Sequence, residues 1–172
     1  MAAVLHDIGK IHVPEGILNK IGKFTTEEYE KMKCHTIEGL NLLEDLPMVS
    51  DGRFNEIAKQ MAYNHHEKWD GTGYPRSIAG IEIPLCARIM AAADVMDALL
   101  SQRLYKDPLP MEEAIKIFEE SRNTHFESCI VDAVISCKDK ILEIDKNFKE
   151  EESATNMLEK QWWQRYHKNL QS

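Results

Sequence analysis

No stretch of this chain is apolar for long enough to cross a bilayer, and no basic-then-apolar leader opens it. A helical membrane segment is therefore excluded, and the chain reads as cytoplasmic. Positive charge is scarce: 21 Lys and Arg stand against 29 Asp and Glu, for a formal net charge of −8. Such a surface repels nucleic-acid backbones, which argues against a polymer-binding module. A small anionic ligand in one locally positive pocket remains open. The four cysteines, Cys34, Cys86, Cys129 and Cys137, include no C-x-x-C pair. That excludes a disulfide framework and a thiolate zinc site, so the thiols are expected to be reduced and mostly buried. No segment alternates convincingly with a period of two, and no internal repeat is present. What remains is 172 residues, 43% of them hydrophobic, enough for one domain with its own core.

Helical periodicity dominates and predicts an all-α fold with a C-terminal helical extension. Residues 1–8 read as the end of a helix closed by Gly9, followed by a loop to about Phe24 punctuated by Pro14, Gly16 and Gly22. Thr25-x-x-Glu28 is a capping box. It opens a helix expected to reach Leu46 with Tyr29, Met32, Leu40 and Leu43 inward. A second helix spans about Phe54 to Glu67, and residues 69–83 form a Gly/Pro-rich loop. Pro84 starts a helix to about 101 that is apolar nearly all round, hence expected to be central and buried. Pro110 starts another, with Met111, Ala114, Ile115 and Phe118 on one face. A further helix runs from Ser128 to Ile144. Residues 1–145 are expected to form the domain, and 146–172 a charged connector and terminal helix carrying Trp162, Trp163 and Tyr166.

The chemistry concentrates in imidazoles and carboxylates. His6-Asp7 and His65-His66 are adjacent pairs, and neighbours on a helix point about 100° apart. Each pair can therefore approach a metal cluster from two directions, with the carboxylate able to bridge. Asp94 shares a helix face with Ala87, Met90, Ala91 and Ala98. A carboxylate in such company is costly to bury without a counter-charge, and a metal ion supplies one. His35 also points inward. Taken alone it is an ordinary hydrogen-bonded core histidine; together with the rest it is a candidate ligand. Nitrogen and oxygen donors without thiolate favour iron, manganese, magnesium or zinc. His12 and His167 read as bystanders, and His125 as structural.

The runs His6-Asp7-Ile8-Gly9-Lys10 and His65-His66-Glu67-Lys68-Trp69-Asp70-Gly71-Thr72-Gly73-Tyr74-Pro75 resemble the signatures of the HD-GYP family, a branch of the HD superfamily of metal-dependent phosphohydrolases. The match continues through Pro84–Ile89, Ala93–Leu99, Arg103-Leu104-Tyr105-Lys106 and His125-Phe126, covering about residues 1–135. The resemblance implies helices around two or three divalent metal ions, most often iron or manganese. It implies hydrolysis of cyclic di-GMP, a bacterial second messenger, to linear pGpG or GMP by a metal-bridging hydroxide. His6, Asp7, His35, His65, His66 and Asp94 would be the metal ligands. Asp7 and Lys10 would serve catalysis, Lys10 facing the scissile phosphate, while Tyr74, Arg103 and Lys106 would hold the substrate. The Gly73-Tyr74-Pro75 loop reads equally well as a tight structural turn framing the metal helix.

The family's preceding helix, with an upstream histidine ligand and in three-metal members a glutamate, has no counterpart before His6. The domain is therefore expected to lack its first helices, to under-coordinate one metal and to expose apolar surface. A homodimer or a signalling partner would cover that surface, or the C-terminal helix could. Two functions stay open: a cyclic-dinucleotide phosphodiesterase, or a module that keeps the fold and a metal without turnover.

Overall fold

The computed structural model describes residues 2–45, 52–102 and 107–150. Arg103, Lys106, His167 and the expected terminal helix with Trp162, Trp163 and Tyr166 lie outside the described residues. Within them the fold is all-α, as expected: α1 (Glu15–Leu18), α2 (Thr26–Lys33), α3 (His35–Asp45), α4 (Gly52–Asn64), α5 (Leu85–Leu100), α6 (Met111–Glu120) and α7 (Ser128–Ser136). An isolated bridge joins Arg122 to Phe126. None of the described helices is long and apolar enough to cross a membrane. The chain divides into two compact units after Val134, and the candidate site lies in the first.

The start of the chain departs from the expected helix. Ala2–Leu5 and Ile8–His12 are separate 3-10 turns, and Gly9 lies inside the second rather than closing a helix. The reason is packing. A Cβ on Gly9 would sit 2.0 Å from the His35 carbonyl oxygen and 2.4 Å from the Gly39 nitrogen. Only a residue without a side chain lets this turn lie backbone-to-backbone on α3, and that contact delivers His6 and Asp7 to the site. The first turn rests on α4, where Ala2, Leu43, Ala58 and Ala62 form a buried cluster backed by Leu5, Ile8, Phe54, Ile57 and Met61.

The capping box is present. Thr25 Oγ1 accepts from the Glu28 amide at 3.2 Å and the Glu28 carboxylate accepts from the Thr25 amide at 2.7 Å. The helix it opens is not continuous, however; it breaks at Cys34. In an unbroken helix the Met32 carbonyl would accept from the amide of residue 36. Here the His35 ring takes it, Nδ1 donating at 2.7 Å, together with the Cys34 amide. A new helix, α3, begins at His35. Of the residues expected inward, Leu43 is buried, Met32 and Leu40 are half-buried, and Tyr29 is 46% exposed.

α4 likewise stops at Asn64 rather than Glu67. Asn64 Nδ2 donates to the Gln60 carbonyl, and His65 Nδ1 lies 3.0 and 3.1 Å from the Met61 and Ala62 carbonyls. The His65 ring thus takes the Ala62 carbonyl, which the next helical amide would need, and the Glu67 amide bonds the Asn64 carbonyl at 3.0 Å in a tighter turn. α5 has Pro84 at its N-cap and buries Ala87, Met90, Ala91, Met96, Leu99 and Leu100. It is not buried all round: Leu85 and Ile89 are exposed, because its helical neighbours α4 and α6 cover one side only. α6 is amphipathic as expected, burying Met111, Ala114 and Phe118. Phe118 stacks on Phe126 at 4.5 Å between centroids, and full burial of such a ring contributes about 1.5–3 kcal/mol.

All four cysteines are free, in line with the expectation of reduced thiols, but they are not mostly buried. Cys34, Cys129 and Cys137 are exposed and Cys86 is half-buried. Cys34 sits at the α2–α3 break and Cys129 in the first turn of α7, places where a helical stripe no longer predicts the inward direction. In the second unit, residues 138–150 are helical and largely exposed.

Candidate metal centre

Four elements converge on one point. The first 3-10 turns bring His6 and Asp7, the start of α3 brings His35, the exit of α4 brings His65 and His66, and the middle of α5 brings Asp94. Asp7, His35, His65 and His66 each offer a ligand atom, and these atoms all lie within 4.8 Å of one another. Asp7 Oδ1 is 3.4 Å from His35 Nε2 and 3.6 Å from His65 Nε2. His6 Nε2 lies 3.3 Å from Asp7 Oδ2 and 3.8 Å from Asp94 Oδ1. Every described residue expected as a ligand is therefore drawn into one cluster. His12 is not; it pairs with Glu38 at 3.2 Å on the surface.

The rings are held in one orientation from behind. His35 Nδ1 is bonded to the Met32 carbonyl, His65 Nδ1 to the Met61 and Ala62 carbonyls, and His6 Nδ1 to the Ala3 carbonyl at 2.6 Å. A carbonyl only accepts, so each Nδ1 carries a hydrogen and each ring turns its Nε2 toward the cluster. His35 Nε2 and His65 Nε2 face each other at 3.4 Å. His6 Nε2 and Asp7 Oδ1 are buried without a hydrogen-bond partner. Lone pairs and carboxylate oxygens aimed at one another are mutually repulsive, and a divalent cation is the group that suits them. The residues present fit a metal of the nitrogen- and oxygen-liganded kind.

Protons take the metal's part in its absence. Burial disfavours a charged His6, but the Asp7 and Asp94 carboxylates outweigh it and raise the imidazole to about 10. Burial would also raise Asp7, yet His6, His65 and Lys10 hold it far below the usual carboxylate range. His6 keeps Asp94 low as well. Burial and then the neighbouring His65 and His35 push His66 down to about 3, and His35 is also lowered, chiefly by burial.

These shifts predict a pH response of the metal-free protein. His66, and His125 at about 4, stay neutral when folded but protonate near 6.5 when unfolded. Their contribution to stability is complete above about 6.5 and is lost as pH falls toward 3–4. His6 binds its proton in both states across that window, so it does not offset the loss; its own contribution disappears only as pH rises toward 10. At pH 4.5 each of the two buried histidines costs about 2–3 kcal/mol. Urea unfolding in the presence of chelator should show a lower midpoint at pH 4.5 than at pH 7; an equal or higher midpoint contradicts the burial of neutral rings.

The loop after α4 closes over the cluster. The Tyr74 amide donates to the His66 carbonyl at 3.1 Å, and the Tyr74 ring stacks on the His66 ring at 4.8 Å between centroids, 27° from parallel. The Tyr74–Pro75 bond is cis. Gly71 adopts a φ of +82°, a conformation glycine favours. Gly73 is required for a different reason: a Cβ there would lie 2.3 Å from the Lys68 nitrogen and 2.5 Å from the Glu67 Cα. Glu67, which the sequence pattern does not single out, is fully buried, and its Oε1 accepts from the Arg76 amide at 2.6 Å. Burial raises its carboxyl above the usual range. It ties the two limbs of the loop together. The only sequence signal for it is a carboxylate set between the paired histidines and a glycine-rich turn. The loop is anchored outward too, with Trp69 and Asp70 amides donating to the His125 and Thr124 carbonyls at 3.1 and 2.9 Å. The His125 ring stacks on Phe126 at 4.2 Å, which fits its structural reading.

A family model described as "HD domain" matches residues 1–130. The chain belongs to that family. The HD domain implies divalent metal binding, and the His/Asp cluster is where such an ion fits. The GYP-containing run agrees with the HD-GYP branch, and so do the relatives. A Vibrio cholerae protein named "Probable cyclic di-GMP phosphodiesterase" is 44% identical over 155 residues, covering 89% of this chain and 35% of its own length. A Thermotoga maritima "Cyclic di-GMP phosphodiesterase" is 39% identical over 155 residues, 90% of this chain and 41% of that protein. A Vibrio cholerae "3'3'-cGAMP-specific phosphodiesterase 2" is 39% identical over 143 residues, 83% of this chain and 27% of its own length. The chain thus spans between about a quarter and two fifths of the length of these relatives.

Proposed function

We propose that this HD domain hydrolyses cyclic dinucleotides, with cyclic di-GMP as substrate and linear pGpG or GMP as product, in the cytoplasm. The observation that carries the reading is the single cluster formed by His6, Asp7, His35, His65, His66 and Asp94. The printed activities of the relatives give the substrate class. Those side chains would hold the metal. The two oxygens of Asp7 face different neighbours, Oδ1 toward His35 and His65 and Oδ2 toward His6 and Lys10, so Asp7 would hold the metal together with those imidazoles. An all-nitrogen-and-oxygen donor set suits iron or manganese.

A divalent ion bound there would acidify water and neutralise charge growing on the phosphodiester oxygens. The chain's own groups do the positioning. Lys10 Nζ is tethered to Asp7 Oδ2 at 2.5 Å yet partly exposed, so its remaining hydrogens can reach a phosphate oxygen of a bound diester. Backbone carbonyls behind His6, His35 and His65 keep the ligand nitrogens aimed inward. Tyr74, stacked on His66, screens that side of the cluster from bulk water and presents an aromatic edge to the substrate. Arg103 and Lys106 are further candidates for holding substrate.

The test is direct. Chain stripped of metal and reloaded with ferrous iron or manganese is incubated with cyclic di-GMP, and products are separated by ion-pair chromatography. Linear pGpG or GMP is expected, with no turnover in chelator. Intact substrate alongside a full metal complement rejects the reading and leaves the non-catalytic module in its place.

A further inference from the structure

One group of side chains beside the cluster has no role in the hydrolytic reading. Tyr29 and Lys33 lie one turn apart on α2. The Tyr29 ring meets Tyr74 edge-on, 6.3 Å between centroids and 80° between planes. Lys33 Nζ lies over both rings, 5.4 Å from the Tyr29 centroid and 5.8 Å from that of Tyr74. Tyr74 in turn stacks on His66. Moving outward, the order is therefore metal-site imidazole, Tyr74, then Tyr29 with Lys33. Tyr29 remains 46% exposed although its ring is held from two sides. Among the described residues Lys33 makes one ion pair, with the exposed Glu30, Oε1 at 2.7 Å, a contact of the surface kind that contributes little.

We propose that Tyr29 and Lys33 form a shelf that takes a guanine base of the substrate, and that Lys33 makes the shelf prefer guanine to adenine. The inference rests on the cyclic-dinucleotide reading above. In such a ligand a base is joined to each phosphodiester through one ribose, so a diester seated at the cluster carries bases to its rim. A ring held in place and still nearly half exposed is what base stacking needs. The ammonium beside it supplies donors only. Guanine presents two adjacent acceptors, O6 and N7, whereas adenine pairs its N7 with a donor amino group. A lysine at this point therefore discriminates between the two purines, and in a chain of net charge −8 a cation at this rim also favours an anionic ligand.

The experiment uses the full chain loaded with manganese. Binding of a non-hydrolysable bis-phosphorothioate analogue of cyclic di-GMP is measured by calorimetry, with metal content checked for each variant. In parallel, kcat and KM are measured for cyclic di-GMP, cyclic di-AMP and bis(p-nitrophenyl) phosphate, a diester without bases. Tyr29→Ala should weaken analogue binding about ten- to hundredfold. The ratio of kcat/KM on cyclic di-GMP to that on the base-free diester should fall by a similar factor, mostly through KM. Tyr29→Phe, which keeps the ring, should recover most of that loss. Lys33→Met should lower kcat/KM for cyclic di-GMP about tenfold more than for cyclic di-AMP. Wild-type chain that binds the analogue while Tyr29→Ala binds it equally well overturns the shelf alone. An equal loss on both dinucleotides with Lys33→Met overturns the guanine preference. Wild-type chain that takes up metal but no cyclic dinucleotide overturns the shelf and the hydrolytic reading together.

Discussion

Asp7→Ala is expected to strip the protein of stably bound metal and to lower cyclic di-GMP hydrolysis by on the order of a thousandfold or more. Asp7 is the carboxylate at the middle of the cluster: it lies within 3.3–3.6 Å of His6, His35 and His65 and receives a hydrogen bond from Lys10. Its removal leaves imidazole nitrogens facing each other with no anion between them, and leaves Lys10 without its tether. Asp7→Asn is the informative companion, since it preserves volume but removes charge and replaces one acceptor by a donor. Both variants should purify folded, because Asp7 is partly accessible and its loss opens no apolar cavity. Elemental analysis after dialysis, with circular dichroism to establish folding, reads the outcome. A folded Asp7→Ala chain with its full metal complement removes Asp7 from the ligand set.

The second large effect is on stability and comes from a residue with no side chain. Gly9→Ala places a methyl group 2.0 Å from the His35 carbonyl oxygen and 2.4 Å from the Gly39 nitrogen, both backbone atoms that cannot swing away. The 3-10 turn must then lift off α3, at a cost of about 3 kcal/mol or more. The turn carries His6 and Asp7, so metal affinity should fall with stability even though no ligand has been altered. Gly16→Ala is the control, because a Cβ there meets nothing within 4 Å. Urea unfolding should show a much lower midpoint for Gly9→Ala and a midpoint near wild type for Gly16→Ala. Matching midpoints would mean that the turn and α3 are not in backbone contact.

The residues of the candidate cluster were legible in sequence because metal chemistry restricts residue type so severely. Paired imidazoles and an Asp inside an alanine-rich helix have few other uses, and the cluster gathers every described member. The capping box at Thr25 and Glu28 was legible for a similar reason: both partners lie within one turn. What escaped were features decided by tertiary contact. The break at Cys34 arises because a side chain, His35, takes a main-chain acceptor from its own helix. Periodicity cannot register that, and so Tyr29 was expected inward. Gly9 looked like a helix stop, the commonest use of glycine, whereas its partner is the backbone of a helix that begins 26 residues later at His35. The exposed strip at Leu85 and Ile89 follows from where neighbouring helices lie, which the apolar composition of α5 does not encode. Glu67 is the most instructive omission. An acidic side chain in a polar loop reads as solvent-facing, and its burial depends on an amide supplied nine residues downstream after the loop has folded back.

The carbonyl anchors behind the imidazoles would limit which ions this cluster can hold. A ring bonded at its rear to its own turn cannot pivot; it advances or retreats only if the peptide chain moves too. The aperture is therefore set by helix ends rather than by soft side-chain torsions, and it behaves as a gauge. An ion whose preferred bond length matches the gap would settle without disturbing the scaffold, while one with much longer bonds would have to prise apart the start of α3 and the exit of α4 to fit.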